Sequence, residues 1–175
     1  MNGLFARFSL RYARWLARLR FARAQAEDGE IILGPEYCWN FHLFHPERLH
    51  VGRGTVINGD FFCNALGGVK IGRYVHIARG LTVYSHNHDF RSADRIPYGD
   101  RDILKPVTIG DAVWIGANVS IAPGAVIGDG AIVGIGSVVF GEVPRCAIVR
   151  GNPAVVVGQR DEATFDRLVG EGRYG

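Results

Sequence analysis

"VTIGDAVWIGANVSIAPGAVIGDGAIVGIGSVVF", Val107–Phe140, places an aliphatic residue at every sixth position: Ile109, Ile115, Ile121, Ile127, Val133 and Val139. A Gly or Ala follows each of them except the last. Two residues before each stands Val107, Val113, Val119, Ala125, Ala131 or Ser137, all small or β-branched. A period of six does not fit an amphipathic helix, which repeats every 3.6 residues. It fits short strands with a corner after each one, because β-branched residues suit the flats and small residues let the chain turn tightly. If three such sides close a coil, 18 residues make a rung, and rungs stacked about 4.8 Å apart bury the recurring aliphatics. Sandwich strands recur at about 8–12 residues and do not give this spacing.

The same frame runs upstream through Ile71-Gly72, Ile77-Ala78 and Val83-Tyr84, and before that through Val51-Gly52, Ile57-Asn58 and Cys63-Asn64. Between Cys63 and Ile71 the step is eight, which predicts a two-residue bulge or turn near Leu66-Gly67-Gly68. At the far end "RGNPAVVVG", Arg150–Gly158, supplies a turn and a last strand over Ala154–Val157. The repeat domain is therefore expected over 31–158. A tail over 159–175 holds a short helix, Asp161–Val169, with Asp161 as its N-cap.

Residues 1–26 form a separate unit. Phe5, Phe8, Tyr12, Trp15 and Leu19 share one face of a helix predicted over 4–24, and Arg7, Arg11, Arg14 and Arg18 form a second stripe. The apolar face either packs on the end of the solenoid or on another subunit, or lies on an anionic membrane surface. The arginines interrupt every candidate core of a secretory signal.

The 175 residues suit one domain, and no stretch of eighteen apolar residues is present to span a bilayer. The net charge of +3 is unevenly placed. Residues 1–25 hold six arginines and no acid, whereas the remainder holds 14 bases against 17 acids. A nucleic-acid-binding body is not indicated. Cys38, Cys63 and Cys146 make neither a disulfide framework nor a CxxC pair, and read as reduced thiols of a cytoplasmic protein. If the first helix binds lipid, that protein is peripheral at the inner face of the membrane.

The rhythm fails at "VYSHNHDFR", Val83–Arg91, and returns only at Ile109. The insertion, 85–106, is charged, with Asp89, Arg91, Asp94, Arg95, Asp100, Arg101, Asp102 and Lys105. A solenoid tolerates a loop at a corner, and a loop of this length is uncommon unless it is functional or disordered. It gives a flat-walled prism the concavity that chemistry needs. At its base stand His86 and His88, either of which is able to take a proton from a hydroxyl or an amine. In an extended segment they point to the same side, so parity does not choose between them. Asp89 or Asp102 is available to orient the imidazole.

The order of hexads, "SHNH", insertion, "KPVTIGDAVWIGANVSIAPGAVIGDG" and "VRGNPAVV" resembles the hexapeptide-repeat acyltransferases, within them the maltose/galactoside/xenobiotic O-acetyltransferase group. It is most similar to members that acetylate sugars of exopolysaccharide or lipopolysaccharide precursors. The resemblance implies an all-β solenoid, a left-handed parallel β-helix of triangular section, assembled as a homotrimer with sites between subunits. It implies acetyl-CoA as co-substrate, no metal, and a sugar or lipid-linked saccharide as acceptor. The second histidine of the motif, His88, falls on the general base. Trp114 falls near the thioester arm, and the backbone N–H of Ala117 on the oxyanion donor. Asp102 falls near a family glutamate, in an insertion two residues longer than usual. Asn58, Asp60 and Asn64, with His86 and Asn87, lie where relatives hold the acceptor.

The sequence departs from relatives at the cofactor. Phe140-Gly141 stands where they carry Thr-Lys or Phe-Lys, and Val155 and Gly158 replace basic residues. Arg145, Arg150 and Arg160 remain as cations for the 3′-phosphate, beside Asn152 and Pro153 of the turn. Three other readings stay open. They are N-acetylation of an amino sugar, a non-catalytic scaffold, and a γ-carbonic-anhydrase-like zinc hydratase using His76, His86 and His88.

Overall fold

The computed structural model describes residues 41–174, with 21–27, the backbone of 32–33, and Tyr12, Trp15 and Leu19 upstream of them. Short parallel strands form three walls. Wall A stacks Gln25–Ala26, Leu49–Val51, Val69–Ile71, Val107–Ile109, Val126–Ile127 and Glu142–Val143. Wall B stacks Ile32–Leu33, Val56–Ile57, His76–Ile77, Trp114–Ile115, Ile132–Val133 and Ala147–Arg150. Wall C stacks Phe41–Phe44, Phe61–Asn64, Leu81–Tyr84, Ser120–Ile121 and Val138–Val139. The chain visits A, B and C in turn, so it is a parallel β-solenoid, as the hexads require.

The register has the expected rung. Thr108 pairs with Val126, Trp114 with Ile132 and Ser120 with Val138, 18 residues on in each case. Phe62 pairs with Thr82, 20 on, because the extra two residues turn at Ala65–Gly68, where Gly68 N–H donates to the Ala65 carbonyl at 2.8 Å. The recurring aliphatics make the core. Ile57, Ile77, Ile115 and Val133 lie one above another in wall B, all with no exposed surface. Each such side chain contributes about 1.5–3 kcal/mol of burial.

The glycine after Ile109 has a different reason from the one the sequence suggested. A Cβ on Gly110 would lie 2.7 Å from the backbone N of Asp129 in the next rung, so glycine is needed for rungs to approach. The turn itself falls two residues later, where Ala112 takes a left-handed φ of 54°.

Both ends differ from expectation in detail. Among the described residues the first paired strand is Gln25–Ala26, upstream of 31, with Gln25 opposite His50. Tyr12, Trp15 and Leu19 are helical but exposed, and Phe5 and Phe8 lie outside the described residues. Among the described residues, Phe21 caps the core from off the predicted stripe, with its ring 5.4 Å from Phe41 and 6.0 Å from Phe61. At the other end the last strand is Val155–Gln159, antiparallel to Ala147–Arg150. A helix follows over Glu162–Gly170, and the Asp161 carboxylate accepts from Thr164 N–H at 2.8 Å. No helix among the described residues is long and apolar enough to cross a membrane.

Candidate active site

The insertion leaves wall C at Ser85, which is fully buried. Its hydroxyl donates to the Asn64 carbonyl at 3.0 Å and accepts from Gly67 N–H at 2.9 Å, while its carbonyl accepts from Lys105 N–H at 2.8 Å. Gly67 has no alternative, since a Cβ there would sit 1.9 Å from the Ser85 carbonyl oxygen. The eight-residue step at Cys63–Ile71 thus supplies the socket in which the insertion is seated.

The insertion is not an irregular loop throughout, as its broken hexads suggested. His86–His88 and Asp102–Leu104 form an antiparallel ribbon that pairs His86 with Leu104, Asn87 with Ile103 and His88 with Asp102. The last pair brings His88 Nδ1 to 3.1 Å from Asp102 Oδ1, with both side chains about half exposed. Of the two candidate partners, Asp102 is the one at the imidazole. Asp89 faces Arg101 instead, at 3.5 Å. A carboxylate this close favours the proton on Nδ1, which leaves Nε2 as an acceptor.

Two further rings meet His88. His86 stands edge-on to it, with centroids 6.1 Å apart and planes at 90°, and its own Nδ1 is buried with no hydrogen-bond partner among the described residues. Tyr98, which the sequence reading did not single out, lies flat on the imidazole at 4.0 Å and 10°. A lone tyrosine in a charged loop gives no periodic signal. Asn87 is exposed, and its Oδ1 accepts from His88 N–H at 2.9 Å. Below the ribbon an aromatic row continues down wall C. Tyr84 is 6.0 Å from His86, Phe62 is 5.1 Å from Tyr84, and Phe44 is 5.7 Å from Phe62. Asn64 lies beside Tyr84 in the neighbouring strand.

The remaining candidates fall elsewhere. Trp114 is an outward residue of wall B, 53% exposed, and Ala117 is at the corner between walls B and C. Among the described residues the Ala117 N–H has no hydrogen-bond partner, although its carbonyl accepts from Gly136 at 2.8 Å. Asn58 and Asp60 occupy that same corner lower down, at the opposite edge of wall C from Asn64. Arg150, Asn152 and Pro153 are exposed above it, at the last rung. One chain therefore separates His88 and Asp102 from Trp114 and Ala117 by the width of wall C.

Arg145 is not a free cation. It pairs with Glu162 at 3.0 Å and with Asp166, and its guanidinium lies 5.0 Å over the Phe165 ring, so it docks the C-terminal helix. The Asp166 hydrogen bond holds it charged, above its ordinary pKa. Arg160 lines a groove of about 420 Å³ between wall B and that helix, with Tyr74, His76, Trp114, Phe165 and Tyr174. Its Nε is buried with no hydrogen-bond partner among the described residues. Cys63 is a core residue whose thiol is pushed up to about 12 by burial, and Cys146 is buried too. Cys38 lies outside the described residues. Among the described residues no three His, Cys, Asp or Glu side chains are grouped to hold a metal ion. His76 stands on wall B, apart from His86 and His88.

The bacterial transferase hexapeptide model (six repeats) matches residues 106–141. WbbJ of Escherichia coli strain K12, named for O-acetyl transfer in lipopolysaccharide biosynthesis, is 32% identical over 161 residues, covering 83% of this chain and 80% of WbbJ. The yeast protein YJL218W, named as an acetyltransferase, is 36% identical over 124 residues, and this chain spans 62% of its length. The acetyltransferase VCA0836 of Vibrio cholerae, solved with acetyl coenzyme A, superposes with a TM-score of 0.68 at 27% identity, covering 86% of this chain and 79% of that one. The chain belongs to the hexapeptide-repeat transferase family. Its relatives are named as acetyltransferases, and its repeat core is the part that the family defines.

Proposed function

We propose that the protein is an acetyl-CoA-dependent O-acetyltransferase that acts on a saccharide hydroxyl as a cytoplasmic homotrimer. The observation that carries this reading is the His88–Asp102 pair, seated on a ribbon inside a hexapeptide-repeat solenoid. His88 Nε2 takes the proton of the acceptor hydroxyl as its oxygen forms a bond to the thioester carbonyl carbon. Asp102 keeps the tautomer and stabilises the imidazolium. The unpaired N–H of Ala117 donates to the oxyanion. The carbon–sulfur bond then breaks, and His88 returns its proton to the departing thiolate. No acyl-enzyme is needed, and the buried Cys63 has no part in the reaction.

Wall C separates His88 from Ala117 and Trp114 in one chain, which favours a site completed by a neighbouring subunit. A saccharide acceptor is supported by the row Tyr84, Phe62 and Phe44 with Asn64 beside it. Rings suit the apolar faces of sugars and the amide suits their hydroxyls. The name of WbbJ points the same way. An amino group on the sugar would serve His88 equally, so N-acetylation is the second reading. Asn58 and Asp60 would meet the acceptor only across the subunit boundary. Residues 1–25, with six arginines, would bring the enzyme to a lipid-linked acceptor at an anionic membrane. Release of free CoA from acetyl-CoA, followed across nucleotide sugars, lipid-linked sugars, simple glycosides and amino sugars, tests the reading. If no acceptor accelerates CoA release, the reading is wrong.

A further inference from the structure

We infer that Tyr98 is a positioning residue for His88, and that returning its ring to the imidazole is what the far part of the insertion is built to do. The inference rests on His88 being the base in the function proposed above.

The path between the two residues is closely tied. Asp89 N–H donates to the Arg101 carbonyl at 3.1 Å, and the Asp89 carbonyl accepts from Gly99 N–H at 2.9 Å and from Ser92 N–H at 3.3 Å. Gly99 is buried against Ser92, where a Cβ would lie 2.7 Å from the Ser92 hydroxyl. Arg95 and Asp100 close the outer turn at 2.6 Å. These bonds fold ten residues back on themselves and deliver Tyr98 to its stack on His88. The ring of Tyr98 is 43% exposed, and among the described residues its only ring partner is His88. It does not fill a core. A buried apolar anchor would show the opposite pattern.

The contact supplies what Asp102 lacks. The Asp102 carboxylate beside Nδ1 orients one edge of the imidazole but lets the ring swing about that contact. A flat neighbour at 4.0 Å fixes the plane, and the two together set where Nε2 points. The ring face is also electron-rich, so it attracts the imidazole more strongly once that has become a cation. That gain appears only after the proton has moved, so it belongs to the transition state and to kcat.

The test compares Tyr98→Phe, which keeps the face, with Tyr98→Leu, which keeps bulk without it. In histidine-labelled protein the ring resonances of His88, assigned with His88→Gln, should be shifted upfield in wild type and Tyr98→Phe. They should move downfield in Tyr98→Leu. In the CoA-release assay Tyr98→Leu should lower kcat about tenfold to a hundredfold, the size of a small misplacement of a catalytic group, with the KM for acetyl-CoA unchanged. Tyr98→Phe should stay near wild type. Unmoved His88 resonances in Tyr98→Leu, or a Phe variant as slow as the Leu variant, would overturn the inference. So would a raised KM with kcat intact, which would make Tyr98 a substrate contact. If wild type itself releases no CoA, the acetyl-transfer reading fails, while the His88 resonances still decide whether Tyr98 holds the ring.

Discussion

His88 and Asp102 face each other across an antiparallel ribbon, 14 positions apart in sequence and 3.1 Å apart at Nδ1 and Oδ1. The ribbon makes them neighbours, and the socket of Ser85 and Gly67 holds the ribbon. Asp102→Asn preserves the shape but removes the charge and favours the wrong tautomer. It should lower kcat roughly tenfold to a hundredfold, as misoriented catalytic groups do, and leave the KM for acetyl-CoA alone. Steady-state CoA release measures both. Equal kcat in Asp102→Asn and wild type would remove Asp102 from the site.

The separation of His88 from Trp114 within one chain has a direct consequence in a homotrimer. His88→Ala subunits and Trp114→Ala subunits should each be poorly active alone. Reassembled together at equal amounts, about a quarter of the interfaces regain one intact copy of each residue, as random closed rings require. Activity should rise towards that fraction after unfolding and refolding of the mixture. No gain on mixing, in trimers shown to exchange, would place both residues in the same subunit's site.

Arg145 and Arg150 should separate cleanly. Arg150 is exposed above the corner that carries Ala117, so Arg150→Ala should raise the KM for acetyl-CoA about tenfold, the loss of one charge-assisted contact. Arg145 serves the C-terminal helix. Arg145→Ala should leave that KM unchanged and instead speed proteolytic cleavage within 162–170. The reverse pattern would move the phosphate site to the other corner.

Asp111 and Cys63 are two of the groups that set limits on stability against pH. Burial works against ionising Asp111, but the Arg73 guanidinium at 2.6 Å and the Arg73 N–H at 2.8 Å outweigh it and lower its pKa. Its contribution is present above the ordinary value of 3.8 and is lost as pH falls through the lowered folded value. Burial raises Cys63 from 9.0 to about 12, so its contribution is full below 9.0 and fades as pH rises towards 12. Calorimetric Tm should be level between these limits and fall outside them. Cys63→Ala should flatten the alkaline limb, and Asp111→Asn the acid one. An alkaline limb unchanged by Cys63→Ala would assign it to other groups.

The walls were legible because the aliphatics of a solenoid recur with the geometry of the coil. Ile109, Ile115 and Ile121 predict their own burial. The two-residue excess near Gly67 was legible as a number but not as a socket, since only folding brings Ser85 over it. The insertion was legible only as a break. Its ribbon pairs residues through long-range hydrogen bonds, and three-residue strands such as Asp102–Leu104 carry too little pattern to be seen. Tyr98 was invisible for the same reason, because its position depends on the folded loop. Arg145 looked like Arg150 in sequence, and only the docked helix tells them apart. The resemblance of "SHNH" to a family motif, and not spacing, is what singled out His88 over His86.

The role of His88 as general base is tested by the paired variants His88→Ala and His86→Ala in one assay of CoA release. His88→Ala should lower kcat by roughly 10²–10⁴, the usual worth of such a group, with the KM for acetyl-CoA almost unchanged. His86→Ala, which removes a ring that stands edge-on to the base, should cost about tenfold or less. A dead His86→Ala enzyme beside a near-normal His88→Ala enzyme would rule out His88 as the base and move that role two residues along the ribbon.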